Sequence, residues 1–251
     1  MTRPLIRLAP LLCVLALTGC AATRGPEPSA AERDPIEGVN RKIFWFNDKV
    51  DVYVLEPTAK GWRWATPEFV RTGVGNFFTN LRFPVVTAND LLQGKPKSAF
   101  YDFVRFATNT TLGFMGFGDP ATAIGLARHD EDFGQTLGVW GVPSGPYLVI
   151  PFLGASSVRD ASGLAVDTAL SVTPFFVDGL ILFGARVVDI VNFRSTVIDE
   201  VRHAKEASVD YYSFVRDAYF QRRAALISDE STMSRQLQND IYFPYEEEEK
   251  K

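Results

Sequence analysis

Residues 175–191 read FFVDGLILFGARVVDIV, and no other run limits the fold so tightly. The run is about as long as a minimal bilayer span, yet it contains Asp178, Arg186 and Asp189. On a helical wheel those three fall within a wedge of about 80°, and most of the remaining circumference is apolar. A helix of that make-up does not suit full exposure on a soluble protein. It is either the central helix of a core or a helix in contact with lipid. In the second case the polar wedge turns inward, where Arg186 and Asp189, three residues apart, satisfy one another.

A second run, GPYLVIPFLGASS at 145–157, is too apolar for an exposed loop and too punctuated by Gly and Pro for a helix. Irregular backbone at membrane depth is tolerated only against protein or a wet cavity, because unpaired N–H and C=O groups are costly in hydrocarbon. Pro146 and Pro151 remove two donors. The run is therefore expected where helices meet lipid or another membrane protein. At 251 residues and 46% hydrophobic, the chain can bury a substantial core in one domain or two small ones. Twenty Phe residues leave much aromatic surface to hide from water.

The start of the chain supplies the lipid contact. Arg3 and Arg7 precede an apolar stretch, Leu8 to Leu17, too short to span a bilayer, and Leu17-Thr18-Gly19-Cys20 closes it. The block L-T-G-C resembles the lipobox of bacterial lipoproteins, in which the Cys becomes the mature N-terminus and is acylated on sulfur and nitrogen. Residues 1–19 are thus expected to be a signal peptide and Cys20 a lipid anchor. Several acyl chains, at about 0.8 kcal/mol per buried CH₂, hold a protein durably. In the sorting pattern of Gram-negative lipoproteins, Ala21 after the Cys implies the outer membrane. Loss of Arg3 and Arg7 takes the formal charge from −4 to −6, which offers nucleic acid no attraction. Residues 20–33 suit a flexible tether, 34–228 the folded domain, and 229–251 a polar, acidic tail.

Between the ends the punctuation is helical. Asp34-Pro35-Ile36-Glu37 has the form of a capping box, and Val39, Ile43, Phe46, Val50 and Tyr53 recur at helical spacing to about Leu55. Further helices are expected from Glu68 to Leu81, Pro84 to Leu92, Lys97 to Thr111, Val158 to Leu170, Pro174 to Val191, and about Thr196 to Ile227, with a short turn after Asp119-Pro120. No alternating strands joined by Asn-Gly-type turns occur, so the expected fold class is all-α.

Enzyme chemistry finds little footing. His129 and His203 are the sole histidines, and neither Gly141-Val142-Pro143-Ser144-Gly145 nor Gly154-Ala155-Ser156-Ser157-Val158 completes G-x-S-x-G. A lipid hydrolase would have to use residues such as Ser144 and His129. Gly116-Phe117-Gly118-Asp119-Pro120-Ala121 formally fits G-x-G-x-x-A but lacks a preceding strand, and His129-Asp130-Glu131-Asp132 reads as a solvated loop. No catalytic residue, metal or cofactor is expected.

The blocks Asp34-Pro35-Ile36-Glu37-Gly38-Val39-Asn40-Arg41 with Phe44, Phe46 and Asn47, then Leu91-Leu92-Gln93-Gly94, Asn109-Thr110-Thr111-Leu112-Gly113, Asp132-Phe133-Gly134-Gln135-Thr136-Leu137-Gly138, Gly145 to Pro151, Ser156 to Asp160 and Tyr219 to Arg223 resemble the MlaA (VacJ) phospholipid-transport lipoproteins. The resemblance runs over about residues 34–225, departing at Pro143 and Ala155. It implies an all-helical ring embedded in the inner leaflet of the outer membrane, pierced by an amphipathic channel and bound to a trimeric porin. It also implies retrograde transport, in which phospholipid misplaced in the outer leaflet passes to a soluble periplasmic phospholipid carrier of the Mla type. Candidate headgroup contacts are Asn40, Arg41, Arg159 and Asp160, and candidate chain-side residues are Phe44 and Phe46. Core packing for the Phe residues, and capping or internal ion pairs for the charged ones, remain open alternatives. A porin-associated structural adaptor and a lipid hydrolase are the competing functions.

Overall fold

The computed structural model describes residues 29–171, 173 and 177–228. The signal peptide, Cys20, most of the tether, Phe175, Phe176 and the tail from 229 to 251 lie outside the described residues. The helices are α1 (Glu37–Val50), α2 (Glu56–Ala65), α3 (Glu68–Leu81), α4 (Phe83–Leu92), α5 (Pro96–Thr111), α6 (Pro120–Ala123), α7 (Phe133–Val139), α8 (Val158–Leu170), α9 (Gly179–Thr196), α10 (Ile198–Ala207) and α11 (Tyr211–Ile227).

The all-α expectation needs one correction: the fold is mostly helical, but residues 147–157 form an antiparallel hairpin. Strand β1 (Tyr147–Ile150) pairs with β2 (Gly154–Ser157), Tyr147 opposite Ser157 and Ile150 opposite Gly154. The hairpin escaped the sequence pattern because its turn is not a two-residue Asn-Gly turn. Phe152 (φ 64°) and Gly154 (φ 85°) take left-handed backbone around the bend, as three-residue loops do. Burial alternates along β1, with Tyr147 and Val149 inward.

Helix boundaries differ from the sequence reading for identifiable reasons. Pro57 cannot donate to the carbonyl four residues back, and the chain absorbs this in a π-helical turn at Asp51–Leu55 instead of stopping at Leu55. There the Glu56 N–H reaches Asp51 O, five residues back, and α2 then runs on to Ala65. The Asp34 side chain does not cap α1, whose N-cap position is Ile36 with no side-chain bond. Helix α9 starts at Gly179, later than expected, because the Asp178 carboxylate caps it through the Leu180 N–H at 2.8 Å. The expected helix from 196 to 227 is two helices, since Asp210 restarts the chain by accepting from the N–H groups of Tyr212 and Ser213. Residues 29–33, placed in the tether by sequence, are an ordered turn, and the Tyr147 N–H donates to Arg33 O at 2.7 Å.

Helices α7 and α8 touch at their backbones. A Cβ on Gly163 would lie 2.4 Å from the Gly134 nitrogen, so only glycine fits this crossing. The apolar core is small: Tyr147, Val149, Tyr212 and Phe220, backed by Ile43, Phe44, Ala155 and Tyr219. Among the described residues, no helix is long and apolar enough to cross a membrane.

Candidate functional site

Helix α1 meets the hairpin through two amides on one face. Asn40, 1% exposed, donates to Asp34 Oδ1 (2.7 Å) and Tyr147 O (3.0 Å) and accepts from the Val149 N–H (3.0 Å). One heptad on, Asn47 donates to Ile150 O (3.0 Å) and accepts from the Phe152 N–H (2.9 Å). Asn47 is a docking residue that the candidate set omitted; its seven-residue spacing from Asn40 was the available signal. The Tyr212 hydroxyl donates to the other Asp34 oxygen, and Arg216 stands 3.6 Å from it.

Arg41 bonds Glu37 (2.6 Å) and grips both oxygens of Asp210 (3.2 and 2.6 Å), its guanidinium 4.3 Å above the Tyr212 ring. That grip holds the Asp210 carboxyl well below the usual carboxylate range. Phe44 packs on Tyr211 and Tyr212 beside the core, whereas Phe46 is exposed and meets Phe152 of the hairpin turn edge-on at 5.4 Å.

Arg159 and Asp160 join a second buried knot with residues far along the chain. Arg159 Nε lies 2.9 Å from Asp160 Oδ1, while Asp160 Oδ2 accepts from the Tyr219 hydroxyl and is ion-paired with Arg223, whose Nε stands 2.8 Å away without hydrogen-bond geometry. Arg223 also binds both oxygens of Asp132 (2.6 and 2.9 Å), and Asp132 in turn caps α7 through the Gln135 N–H. Burial opposes ionisation of Asp132, but Arg223 outweighs it and keeps this carboxyl low. Nothing in the spacing from 132 to 223 signals that link.

The polar wedge of α9 is divided in the structure. Asp178 is the cap and lies before the helix, while Arg186 and Asp189 pair at 2.8 Å with Arg186 exposed. The buried polar residues of α9 lie nearer its end: Arg194 binds Asp51 (2.7 and 3.0 Å), and Asn192 accepts from Trp62 Nε1 (3.0 Å) and donates to Arg71 O (2.9 Å). Leu180, Ile181, Phe183 and Phe193 of the same helix are each more than 60% exposed.

That inversion extends over the molecule. Among the described residues, 17 polar or charged side chains are buried against 10 hydrophobic ones, while 38 large hydrophobic residues are exposed. A water-soluble domain hides its large apolar side chains first.

A second cluster gathers beside α4 and α5. Asp90 is fully buried, and burial together with the adjacent Asp102 carboxyl pushes it up to about 8. Neither Asp90 oxygen has a hydrogen-bond donor among the described residues, in keeping with a carboxyl that is held protonated more readily than usual. His129 Nδ1 stands 3.0 Å from Asp102, a bond that raises the imidazole pKa. Ser144 shares no hydrogen bond with His129 among the described residues. There, too, no group of three or more His, Cys, Asp or Glu side chains is placed to hold a metal ion.

Comparison with known proteins follows the same lines. The family model described as MlaA lipoprotein matches residues 32–226. The chain is 37% identical over 230 residues, 88% of this chain and 90% of the relative, to a Haemophilus influenzae protein named intermembrane phospholipid transport system lipoprotein MlaA. It is 36% identical over 225 residues, 86% of this chain and 87% of the relative, to the Escherichia coli K12 protein of the same name. A chain solved in work on the structural basis for maintenance of bacterial outer membrane lipid asymmetry superposes with a TM-score of 0.70 at 37% identity, covering 77% of this chain and 98% of that one. The relatives are named for lipid transport, not for an enzymatic reaction. By sequence and by fold, this chain belongs to the MlaA lipoprotein family.

Proposed function

We propose that this chain is a lipid-anchored lipoprotein on the periplasmic side of the outer membrane. It takes mislocalised phospholipid out of the outer leaflet along an amphipathic path and passes it to a soluble periplasmic carrier, working beside a trimeric porin. The observation that carries this reading is the inverted surface: more polar than apolar side chains inside, and large hydrophobic residues outside. Such a body loses least free energy when its outer surface meets acyl chains and its polar knots stay shielded within.

Moving a phospholipid without help is slow for a physical reason. Exposing two chains of about fifteen methylenes each costs on the order of 24 kcal/mol at about 0.8 kcal/mol per CH₂. A charged headgroup in hydrocarbon is a second barrier. A path with one polar and one apolar side lowers both without covalent chemistry. In this reading Phe46, with Phe152, is the candidate that offers apolar surface to a chain. Asn40, Arg41, Arg159 and Asp160 hold the wall behind it through bonds to their own neighbours.

The test is the outer-leaflet phospholipid content of a deletion strain complemented with wild type or with Cys20→Ala. Wild type restores low outer-leaflet phospholipid, and Cys20→Ala fails to do so. An unchanged lipid distribution on deletion would contradict the reading and leave a porin-bound structural adaptor. Fatty-acid release abolished by Ser144→Ala would point instead to hydrolysis.

A further inference from the structure

Three buried carboxyls meet between α4, α5 and the segment before α7: Asp90, Asp102 and Glu131, which are 0%, 6% and 6% exposed. Two of them have cations. His129 Nδ1 stands 3.0 Å from Asp102, and Lys95 Nζ lies 3.2 Å from Glu131, which also accepts from Gln93 Nε2 at 2.8 Å. Asp90 has neither cation nor donor: among the described residues nothing donates to either oxygen, and no Lys or Arg is ion-paired with it. A lone carboxylate is costly in such a place, so the group is held as the neutral acid.

Burial, and after it Asp102, push Asp90 up to about 8; Glu131 adds to the rise and His129 opposes it. His129 is itself raised by its bond to Asp102, so loss of the imidazole charge as pH climbs withdraws that opposition. The other elements packed on α4 bring no cation to Asp90. Helix α7 presents the uncharged Thr136, α8 presents Asp167, which accepts from Asn89, and Arg82 at the α3–α4 junction is paired with Asp130 at 3.2 Å. Burial pushes Asp167 up as well.

What happens to α4 reaches further. Asn89, beside Asp90 and also fully buried, accepts from Thr136 Oγ1 of α7 at 2.8 Å and donates to Asp167 of α8 at 2.9 Å, and Gln93 adds a bond to Thr136 at 3.2 Å. A shift of α4 away from α5 is therefore carried to the α7–α8 crossing, where Gly134 and Gly163 leave no slack. His129 keeps 16% of its side chain in solvent and lines, with Asp102, the cleft between α3, α4 and α5, which gives a proton its way out.

We propose that Asp90, Asp102 and His129 form a pH-sensitive latch between α4 and α5. With Asp90 as the acid, α4 is held against α5; in mild alkali its proton leaves to solvent past His129, two carboxylates stand side by side, and α4 is freed, loosening α7 and α8 with it. The latch does not depend on the transport reading above.

The test is hydrogen exchange, read by mass spectrometry on the full acylated protein in maltoside detergent at pH 6.5 and 8.0, with labelling times scaled for hydroxide catalysis. A group at about 8 when closed and about 4 when open stabilises the closed form at pH 6.5 and loses that effect as pH rises, so opening of α4 and α5 peptides increases about ten-fold. Peptides from α7 and α8 follow by a smaller factor, and those from α2 and α9 change by less than about two-fold. Asp90→Asn keeps the shape and a donor but cannot ionise, and it holds opening at the pH 6.5 level throughout. Asp102→Asn removes the neighbouring charge and moves the rise below pH 6.5. No rise in wild type, a rise as large in α2 and α9 as in α4, or the full rise in Asp90→Asn overturns the latch. If Asp90→Asn does not fold, a rise that stays between pH 6.5 and 8.0 in Asp102→Asn overturns it instead.

Discussion

Around Tyr147 the chain is built like an ordinary globular protein: aromatic rings from β1 and α11 meet at centroid distances near 6 Å, and the Tyr212 hydroxyl beside them is bonded to Asp34, although the buried Tyr147 hydroxyl has no partner among the described residues. Along α9 the order is reversed. Leu180, Ile181, Phe183 and Phe193 face outward, and Asn192, Arg194 and Ser195 are buried. Under the proposed function the same hydrophobic effect drives both, because the two regions have different surroundings, water-excluding protein for the first and hydrocarbon for the second. The sharpest tests of this contrast are those that move one region and not the other.

The largest effect is expected in the buried knot. Arg223→Met leaves Asp132 and Asp160 buried without their common cation, a loss of about 3–5 kcal/mol. Thermal unfolding in detergent should fall by about 10 °C, and a shift under 3 °C would mean that water already reaches the knot. Next comes Asn40→Ala, which strands the Val149 N–H and Tyr147 C=O at about 2–3 kcal/mol. Amide exchange at Val149 should rise with it, and unchanged protection there would break the link between α1 and the hairpin.

A pH titration gives a smaller effect with a defined sign. Asp90, at about 8 in the fold, titrates well above its unfolded value near 4, so its protonated form stabilises the fold and that stability is lost as pH rises between them. His129, also raised, contributes stability below about 6.5 that is lost as pH rises through its folded pKa. Both lower stability from pH 5.5 to 8.5, while Asp132, held low, matters only in acid. Asp90→Asn should flatten this decline and stabilise the protein at pH 8.5 by on the order of 1 kcal/mol, as read by melting temperature against pH. A variant that keeps the full decline removes Asp90 as its source.

The smallest effect on folding is expected where the membrane effect is clear. Leu180→Ser with Phe183→Ser should change unfolding in detergent by about 0.5 kcal/mol per site, since neither side chain packs inside. The same pair should weaken flotation with vesicles by about 1.5–3 kcal/mol per side chain.

How much of this was visible beforehand depends on whether the signal was local. Helix positions followed from periodicity and from Pro and Asp at helix starts, because capping and proline geometry act within a turn. The hairpin was hidden because its bend uses Phe152 in left-handed backbone in place of Asn-Gly, and the π turn because Pro57 reads as a stop. Arg41 and Asp160 stand out in the sequence, but their partners Asp210 and Arg223 lie 169 and 63 positions away, beyond any spacing rule.

The most direct test of the account is the solvent facing α9. Nitroxides at Ile181 and Phe183, with Glu200 of α10 as the comparison, are read by collision with oxygen and with a water-soluble nickel chelate in reconstituted vesicles. The account predicts oxygen-rich, nickel-poor collisions at 181 and 183 and the reverse at 200; nickel access as high at Ile181 as at Glu200 would contradict it.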